Sequence, residues 1–465
     1  MNSAQTVKTF FITLTAGQEI RDFLLSDFYT LAKNDPHIRI IAFLPPDQAE
    51  KYKREFGHER CIIEPIVGIN NKWMPKELFR IVCFGCIPTR TIWSRNWFTY
   101  LGGGSLPSFV TKQFLWILGH SRIWRSLMRM TEYYIFHDDN VWKPYFEKYK
   151  PDVVFGSAMI FEEDVLMIKF AKRQGIPTVG MMRSWDNFTS KGFIRVHPDR
   201  LFVQNSTMVE EAYTLNSFPK ERIDIIGFPQ WDHYYDPSWQ MTREEFADKF
   251  KLDPKTRWVV FFGGGLMTGL FGMPDRGDHV VMLNQAVRRG ELSNITVILR
   301  AHPAYTDALR PEALESPVLD FGKGWNFTVE DMKLLLNLVR FSDVALNVGS
   351  TIALEVAMFD KPVVLIGFNG YDTDEKLPWH RRLSTALNNT VHYLHVQQTG
   401  GVWRVNNETE LIHAVKTYLE NPALHKEGRA RIVKELVGPT DGKAATRVFQ
   451  ILRKLADSKA LSTKL

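Results

Sequence analysis

Cysteine is scarce in this chain, with three residues in 465, which suits a reducing compartment and excludes a disulfide-built scaffold. Cys83 and Cys86 form one C-x-x-C with no second pair at ligand spacing. A four-thiolate zinc site needs that second pair, so plain buried cysteines are expected. Long apolar runs are missing as well, and nothing approaches the roughly 20 residues that a membrane-spanning helix needs. The opening stretch MNSAQTVKTFFITLTAG has one lysine, a strand-like run and no small-residue cleavage site, so a first strand is expected there and not a signal peptide. There is no low-complexity segment, and no internal repeat beyond a recurring βα theme. What is present is ordinary globular material, 45% hydrophobic and 24% charged, neither disordered nor fibrous. The length is too great for one core and suits two domains of roughly 200 residues.

Acid is scarce in one place. Between Asn70 and Met130, nine basic residues (Lys72, Lys76, Arg80, Arg90, Arg95, Lys112, Arg122, Arg125 and Arg129) meet one acid, Glu77. That local excess of +8 is larger than the net +6 of the whole chain. The same stretch holds five of the thirteen tryptophans (Trp73, Trp93, Trp97, Trp116 and Trp124) and the run FLWILGHSRIWRSLMRM. Basic residues interleaved with Trp and Leu describe an interfacial segment drawn to anionic lipid. The competing readings are a packed helical hairpin whose bases are merely solvated, and a site for a phosphate-rich acceptor. No nucleic-acid motif accompanies the charge, so nucleic acid is not an expected partner.

Along the chain, short apolar runs alternate with helical stretches in the manner of βα units. Strands are expected at Thr9–Thr15, Ile38–Leu44, Val153–Phe155, Thr178–Met182, Leu201–Val203 and Ile223–Ile226, with a helix at Thr207–Leu215. Tyr234–Arg257 is polar and aromatic, broken by Asp236-Pro237 and Asp253-Pro254, and reads as a connection. A second α/β series starts at Trp258, and the tail from Glu427 is helical in pattern apart from Gly438–Gly442.

The richest stretch is Phe341–Phe368, FSDVALNVGSTIALEVAMFDKPVVLIGF. It contains a strand at Val344–Leu346, a Gly349-Ser350-Thr351 turn, a helix carrying Glu355, and a second strand at Val363–Ile366 led by Lys361-Pro362. Amides at a helix start are unpaired and lie at the positive end of its dipole, so this turn suits phosphate oxygens. Glu355, one turn on, suits ribose hydroxyls. Two further strand ends agree with it. Ile295–Leu299 runs into Arg300-Ala301-His302-Pro303, and Val259–Phe262 runs into Gly263-Gly264-Gly265. Ligands of open parallel sheets bind at such carboxyl ends.

These residues carry a resemblance. Ser-Thr-x-x-x-Glu followed by Lys-Pro resembles the nucleotide-sugar motif of GT-B-fold glycosyltransferases, and its spacing is similar to that of the non-hydrolysing UDP-N-acetylglucosamine 2-epimerases. The His302-Pro303 pair resembles the His-Pro motif of bacterial GT-B sialyl- and Kdo-transferases. The resemblance implies an α/β fold of two Rossmann-like domains facing a central cleft. Residues 1–232 form an acceptor domain with the insertion at about 70–131, 233–257 the connection, 258–440 the nucleotide-sugar domain, and 441–465 a helix returning to the first domain. It also implies a nucleotide-sugar substrate with no separate cofactor. Gly264, Gly265, Arg300, His302, Gly349, Ser350, Thr351 and Glu355 are the expected nucleotide-binding set.

For sugar transfer, charge on the departing phosphate must be stabilised and an acceptor proton removed. Asp186, after the strand Thr178–Met182 and beside Trp185 as a stacking surface, is the first candidate base. Glu19 is the second, and Asp138 or Asp139 the third. Asp372-Thr373-Asp374 has the D-x-D form of a metal motif but stands in a late loop, so no metal is expected. Retaining GT-B enzymes usually show Glu-x7-Glu, and here the position eight before Glu355 is Asn347, which argues for inversion. The expectation is a glycosyltransferase of bacterial surface-polysaccharide assembly, cytoplasmic and peripheral on the inner membrane face, with a glycan or lipid-linked acceptor. A CDP-glycerol-type phosphotransferase, a 2-epimerase and a non-catalytic nucleotide-sugar-binding subunit are the alternatives.

Overall fold

A computed structural model describes residues 7–66, 74–264, 276–301, 309–319, 328–371 and 376–462. It divides into two compact units: Met1–Tyr235 with Gly438–Leu465, and Asp236–Val437.

The first unit is built on strands β1 (Lys8–Thr13), β2 (Ile38–Leu44), β3 (Cys61–Pro65), β4 (Val153–Gly156), β5 (Thr178–Met181), β6 (Arg200–Val203) and β7 (Ile223–Ile225). They form one parallel sheet in the order β3-β2-β1-β4-β5-β6-β7. The central strands are buried, as both faces of a parallel sheet carry crossover helices, which is why they read as unbroken apolar runs. Strand order reverses between β1 and β4, so their carboxyl ends splay and open a crevice there.

Helices that matter below are α1 (Gly17–Leu24), α2 (Met74–Gly85), α3 (Arg90–Leu101), α4 (Leu106–Gly119), α5 (Arg122–Tyr134), α6 (Glu162–Arg173), α7 (Asn187–Ser190) and α8 (Ser206–Asn216). The basic-aromatic stretch is thus four helices, α2 to α5. Their starts are set locally: Thr89 Oγ1 accepts from Ile92 N, and Ser121 Oγ accepts from Trp124 N. They share a small core of Cys83, Cys86, Ile87, Ile92, Leu115, Met128 and Phe193. Gly119 permits the close crossing, because a Cβ there would lie 2.3 Å from the Cys86 carbonyl oxygen.

Each of three of these helices also carries a second apolar stripe that faces solvent. Met74, Leu78 and Ile81 on α2 stand at helical spacing, and all are exposed. So do Leu106, Val110, Phe114 and Ile117 on α4. On α5 the stripe is Ile123, Leu127, Met130 and Tyr134, with Ile123 83% exposed.

The bases of this insertion are not all at the surface, contrary to the sequence expectation. Lys76 and Arg125 are buried. Lys76 Nζ lies 2.5 Å from Glu132 Oε1, which Lys169 approaches at 2.8 Å; Arg195 Nη1 lies 3.0 Å from Oε2. Burial alone would raise the Glu132 carboxyl, but Arg195, Lys169 and Lys76 together hold it down at about 2. This network ties α2 and α5 to α6 and to the loop after α7. Arg129 stacks on Phe193 and donates to the carbonyls of Ile194 and Asn216.

The second unit opens with α9 (Arg243–Phe250), started by a capping box of Thr242 and Glu245. It lies in the stretch read as a connection, and Phe246 packs on Trp258 and Phe341. Strands β8 (Arg257–Phe262), β9 (Ile295–Arg300), β10 (Val344–Asn347), β11 (Val363–Ile366) and β12 (Trp403–Val405) form a parallel sheet in the order β12-β11-β10-β8-β9. Order reverses between β8 and β10. Helix α10 (Asp278–Arg288) lies between β8 and β9 in sequence, and α11 (Ile352–Met358) follows β10.

The last helix, α12 (Ala444–Ser462), belongs to the first unit. Its Val448, Phe449, Leu452 and Ala456 complete the core around Phe10 and Phe28. Asp232 fixes its start by accepting from the amides of Ala444 and Ala445 at 2.9 and 2.7 Å.

Candidate functional site

In the second unit the sequence-predicted elements meet at the reversal of strand order. β8 pairs with β9 on one side and β10 on the other, in register to their carboxyl ends: Phe262 stands opposite Arg300 and Asn347. Gly263 N donates to Arg300 O at 2.9 Å. The ends leading to Gly264, Arg300 and Gly349–Thr351 are therefore neighbours on one edge. Gly265 and His302 lie outside the described residues, as does Asp372–Asp374.

The turn after β10 is held from inside. Gly349 has φ of 93°, open to glycine without strain. Its amide donates to Asn347 Oδ1 at 2.9 Å, and its carbonyl accepts from Tyr393 Oη at 2.7 Å. Gly349 thus acts by shape, since its own N–H is engaged, and Ser350 and Thr351 follow it into α11. Glu355 is buried in the first turn of α11. Arg300 is buried too, with Nη1 donating to the Leu319 carbonyl at 2.7 Å.

At this edge the sequence reading missed a donor role for Asn347 and passed over His279. Asn347 is fully buried, and its Nδ2 has no acceptor among the described residues. Buried donors without acceptors are uncommon, and one beside a strand-end turn suits a ligand oxygen. His279, in the first turn of α10, donates from Nε2 to the Phe368 carbonyl at 3.2 Å, and burial lowers its pKa to about 4, so it is neutral. The Asn-x-Gly-Ser-Thr spacing was the available signal for Asn347. A histidine inside a helix gave none.

In the first unit, Glu19 and Asp186 both stand at the carboxyl edge of the sheet. Glu19 follows β1 at the β1/β4 reversal and is 1% exposed. Burial raises it, and Arg183, whose Nε lies 3.0 Å from Oε1, only partly offsets this, leaving the carboxyl at about 7. The Arg183 Nε–H points at Gln18, so neither Glu19 oxygen accepts a well-directed hydrogen bond among the described residues. Asp164, at the start of α6 after β4, is wholly buried; Thr13 Oγ1 and Ala158 N donate to its Oδ1 at 2.7 and 2.8 Å. Its burial raises it well above the usual carboxylate range.

Asp186 is half-buried and begins α7, its Oδ1 accepting from Asn187 Nδ2 at 3.1 Å. Its neighbour in α8 is the carboxyl that the sequence did not single out, Glu211. Glu211 Oε2 is buried without a donor among the described residues, and burial together with the Asp186 charge pushes it up to about 8. Glu211 therefore holds its proton beside Asp186 through the neutral range. Two expectations are corrected. Trp185 is 4% exposed, so its indole is a core wall and not a stacking platform. Asp139 is fully buried and paired with Arg173 at 2.5 Å, a structural carboxylate.

The three cysteines are buried and free. Among the described residues no group of three His, Cys, Asp or Glu is placed to hold a metal ion, and no helix is long and apolar enough to cross a membrane.

No protein-family model matches the chain. No curated relative matches it. Solved structures do. The UDP-GlcNAc 2-epimerase from Neisseria meningitidis, bound to UDP-GlcNAc, is 11% identical over 96% of this chain and 100% of its own, with a TM-score of 0.52. A variant of the wall teichoic acid polymerase TagF is 11% identical over 97% of this chain and 90% of its own, also at 0.52. TagF soaked with CDPG is 12% identical over the same shares, at 0.50. Both neighbours are GT-B enzymes, and this chain's two parallel sheets suit that architecture. The chain has the GT-B fold, the architecture common to nucleotide-sugar transferases and 2-epimerases.

Proposed function

We propose that the protein is a glycosyltransferase that binds a nucleotide sugar on its second unit and passes the sugar to a glycan or lipid-linked acceptor in surface-polysaccharide assembly. The observation that carries this reading is the meeting of Gly264, Arg300 and Asn347–Glu355 at the β8/β10 reversal, where open parallel sheets bind ligands. Ser350, Thr351 and the Asn347 amide supply donors for phosphate oxygens, and Glu355 accepts from ribose. A single well-placed donor of this kind is worth on the order of a hundredfold in rate. On the first unit, Glu19 or Asp186 removes the acceptor proton, and the work is done at the cytoplasmic membrane face. Inversion is preferred because Asn347 stands where retaining relatives carry an acid.

The test is thermal stability in UDP, CMP, CDP, GDP and their sugar conjugates. A ligand at about a hundred times its Kd adds roughly 2.7 kcal/mol. The expected result is a rise with one nucleotide that is lost in Glu355→Ala and Ser350→Ala. Stabilisation by CDP-glycerol in place of any nucleotide sugar would move the reading to glycerol-phosphate transfer. No rise with any of them would overturn the site.

A further inference from the structure

The solvent-facing stripes of α2, α4 and α5 take no part in the donor site or the candidate bases. Most of the large exposed apolar side chains of the described residues fall between Met74 and Ile135. Soluble surfaces scatter such residues singly, and contiguous patches mark interaction sites. The polar surroundings of these stripes are basic: Arg80, Arg90, Lys112 and Arg122 keep exposed surface there, against one acid, Glu77. A second copy of this chain would set such a face against an equally basic one, so self-association is electrostatically disfavoured. An anionic surface is the complement, and apolar stripes on short amphipathic helices ringed by Lys and Arg are what lies in a lipid headgroup layer.

A pocket of about 260 Å³ adjoins the α2 stripe, its wall shared by Ile81, Phe84 and Phe193 with Arg80, Lys191 and Arg195. Glu77 lines it too, and across wall and interior Lys76, Arg80, Lys169 and Arg195 face Glu77, Glu132 and Glu162, one cation in excess. Lys191 adds another, exposed and with no ion-pair partner among the described residues. The pocket thus offers surplus positive charge at the foot of an apolar stripe.

We propose that α2, α4 and α5 form a docking surface for an anionic lipid bilayer. The stripes enter the boundary between headgroups and acyl chains, and Lys191 with Arg80 meets a lipid phosphate at the pocket. As a statement about the acceptor side this rests on the transferase reading; as a statement about binding it needs no turnover. A failure of one therefore leaves the other standing.

The experiment is flotation of the full chain with vesicles of phosphatidylcholine alone, or with about a third phosphatidylglycerol. The expected result is binding to the anionic vesicles only, reduced at least tenfold in Ile117→Asp/Ile123→Asp and several-fold in Lys191→Glu. Both variants change exposed side chains, and their unchanged melting temperatures establish that they fold. Equal binding to both vesicle types would overturn the anionic part of the proposal, and no binding to either would overturn it entirely. So would a dimer in sedimentation equilibrium that the stripe variant dissolves, since the face would then join two copies.

Discussion

Glu211 carries the sharpest consequence of burial at a single residue. Its carboxyl stays protonated in the fold up to about 8, against 4.5 unperturbed. Below 4.5 the folded and unfolded chains both hold the proton and the residue costs nothing. Between those values only the unfolded chain ionises, so stability falls as pH rises, and above about 8 the full penalty applies. Glu211→Gln should therefore melt with the wild type near pH 4 and progressively above it towards pH 9, as calorimetry across that range would read. A gain independent of pH would assign the effect to packing. Glu19, held at about 7 by burial, gives the complementary kinetic expectation. If it is the base, transfer rises with pH through about 7 as it ionises, and Glu19→Gln loses that limb together with roughly 10²–10⁴-fold in rate, while the nucleotide-induced melting shift is kept. Asp186→Asn tests the other candidate in the same assay. The positions of Glu19 and Asp186 were legible because strand-end loops are visible in a run of alternating βα units. Their surroundings were not: Arg183 beside Glu19, and Glu211 beside Asp186, are brought there by the packing of elements far apart in the chain.

Among the elements, the four-helix insertion depends on one glycine. A side chain at position 119 would place its Cβ 2.3 Å from the Cys86 carbonyl oxygen and 2.7 Å from its carbon, atoms of backbone that cannot rotate away. Gly119→Val should destabilise the first unit by about 1–3 kcal/mol or more, as overpacking does, seen as a lower urea midpoint. The helical character of this stretch was readable from its amphipathic spacing, but its basic residues pointed in two directions. Lys76 and Arg125 look in sequence like the solvated Arg90 and Arg122; only partners such as Glu132, 56 residues on from Lys76, separate them. Two of the four edge strands, β3 and β12, and the helix α9 were not read at all. CIIEP and WRV are too short to show a period, and α9 sits between two Asp-Pro breaks that mask its capping box.

For the molecule as a whole, fold class was legible and strand order was not. Alternating strands and helices specify a parallel sheet, but nothing in the local sequence says that order reverses between β1 and β4, or between β8 and β10. Those reversals are what turn a row of strand ends into candidate sites. The turn Gly349–Thr351 was located through its motif, and the structure places it at the end of β10, beside the reversal with β8.

The placement of α12 has a consequence for biosynthesis. The first unit is assembled from the two ends of the chain, with Val448, Leu452 and Ala456 fully buried among residues from β1 and β4. Its sheet can be paired early during translation, yet its core stays open until residues 444–456 emerge, after the whole second unit has been made. A nascent chain must therefore carry Phe10 and Phe28 partly uncovered through most of its synthesis, the condition under which chaperones engage and aggregation begins. Release of a chain shortened at Val437 should yield a folded second unit attached to a first unit that never closes.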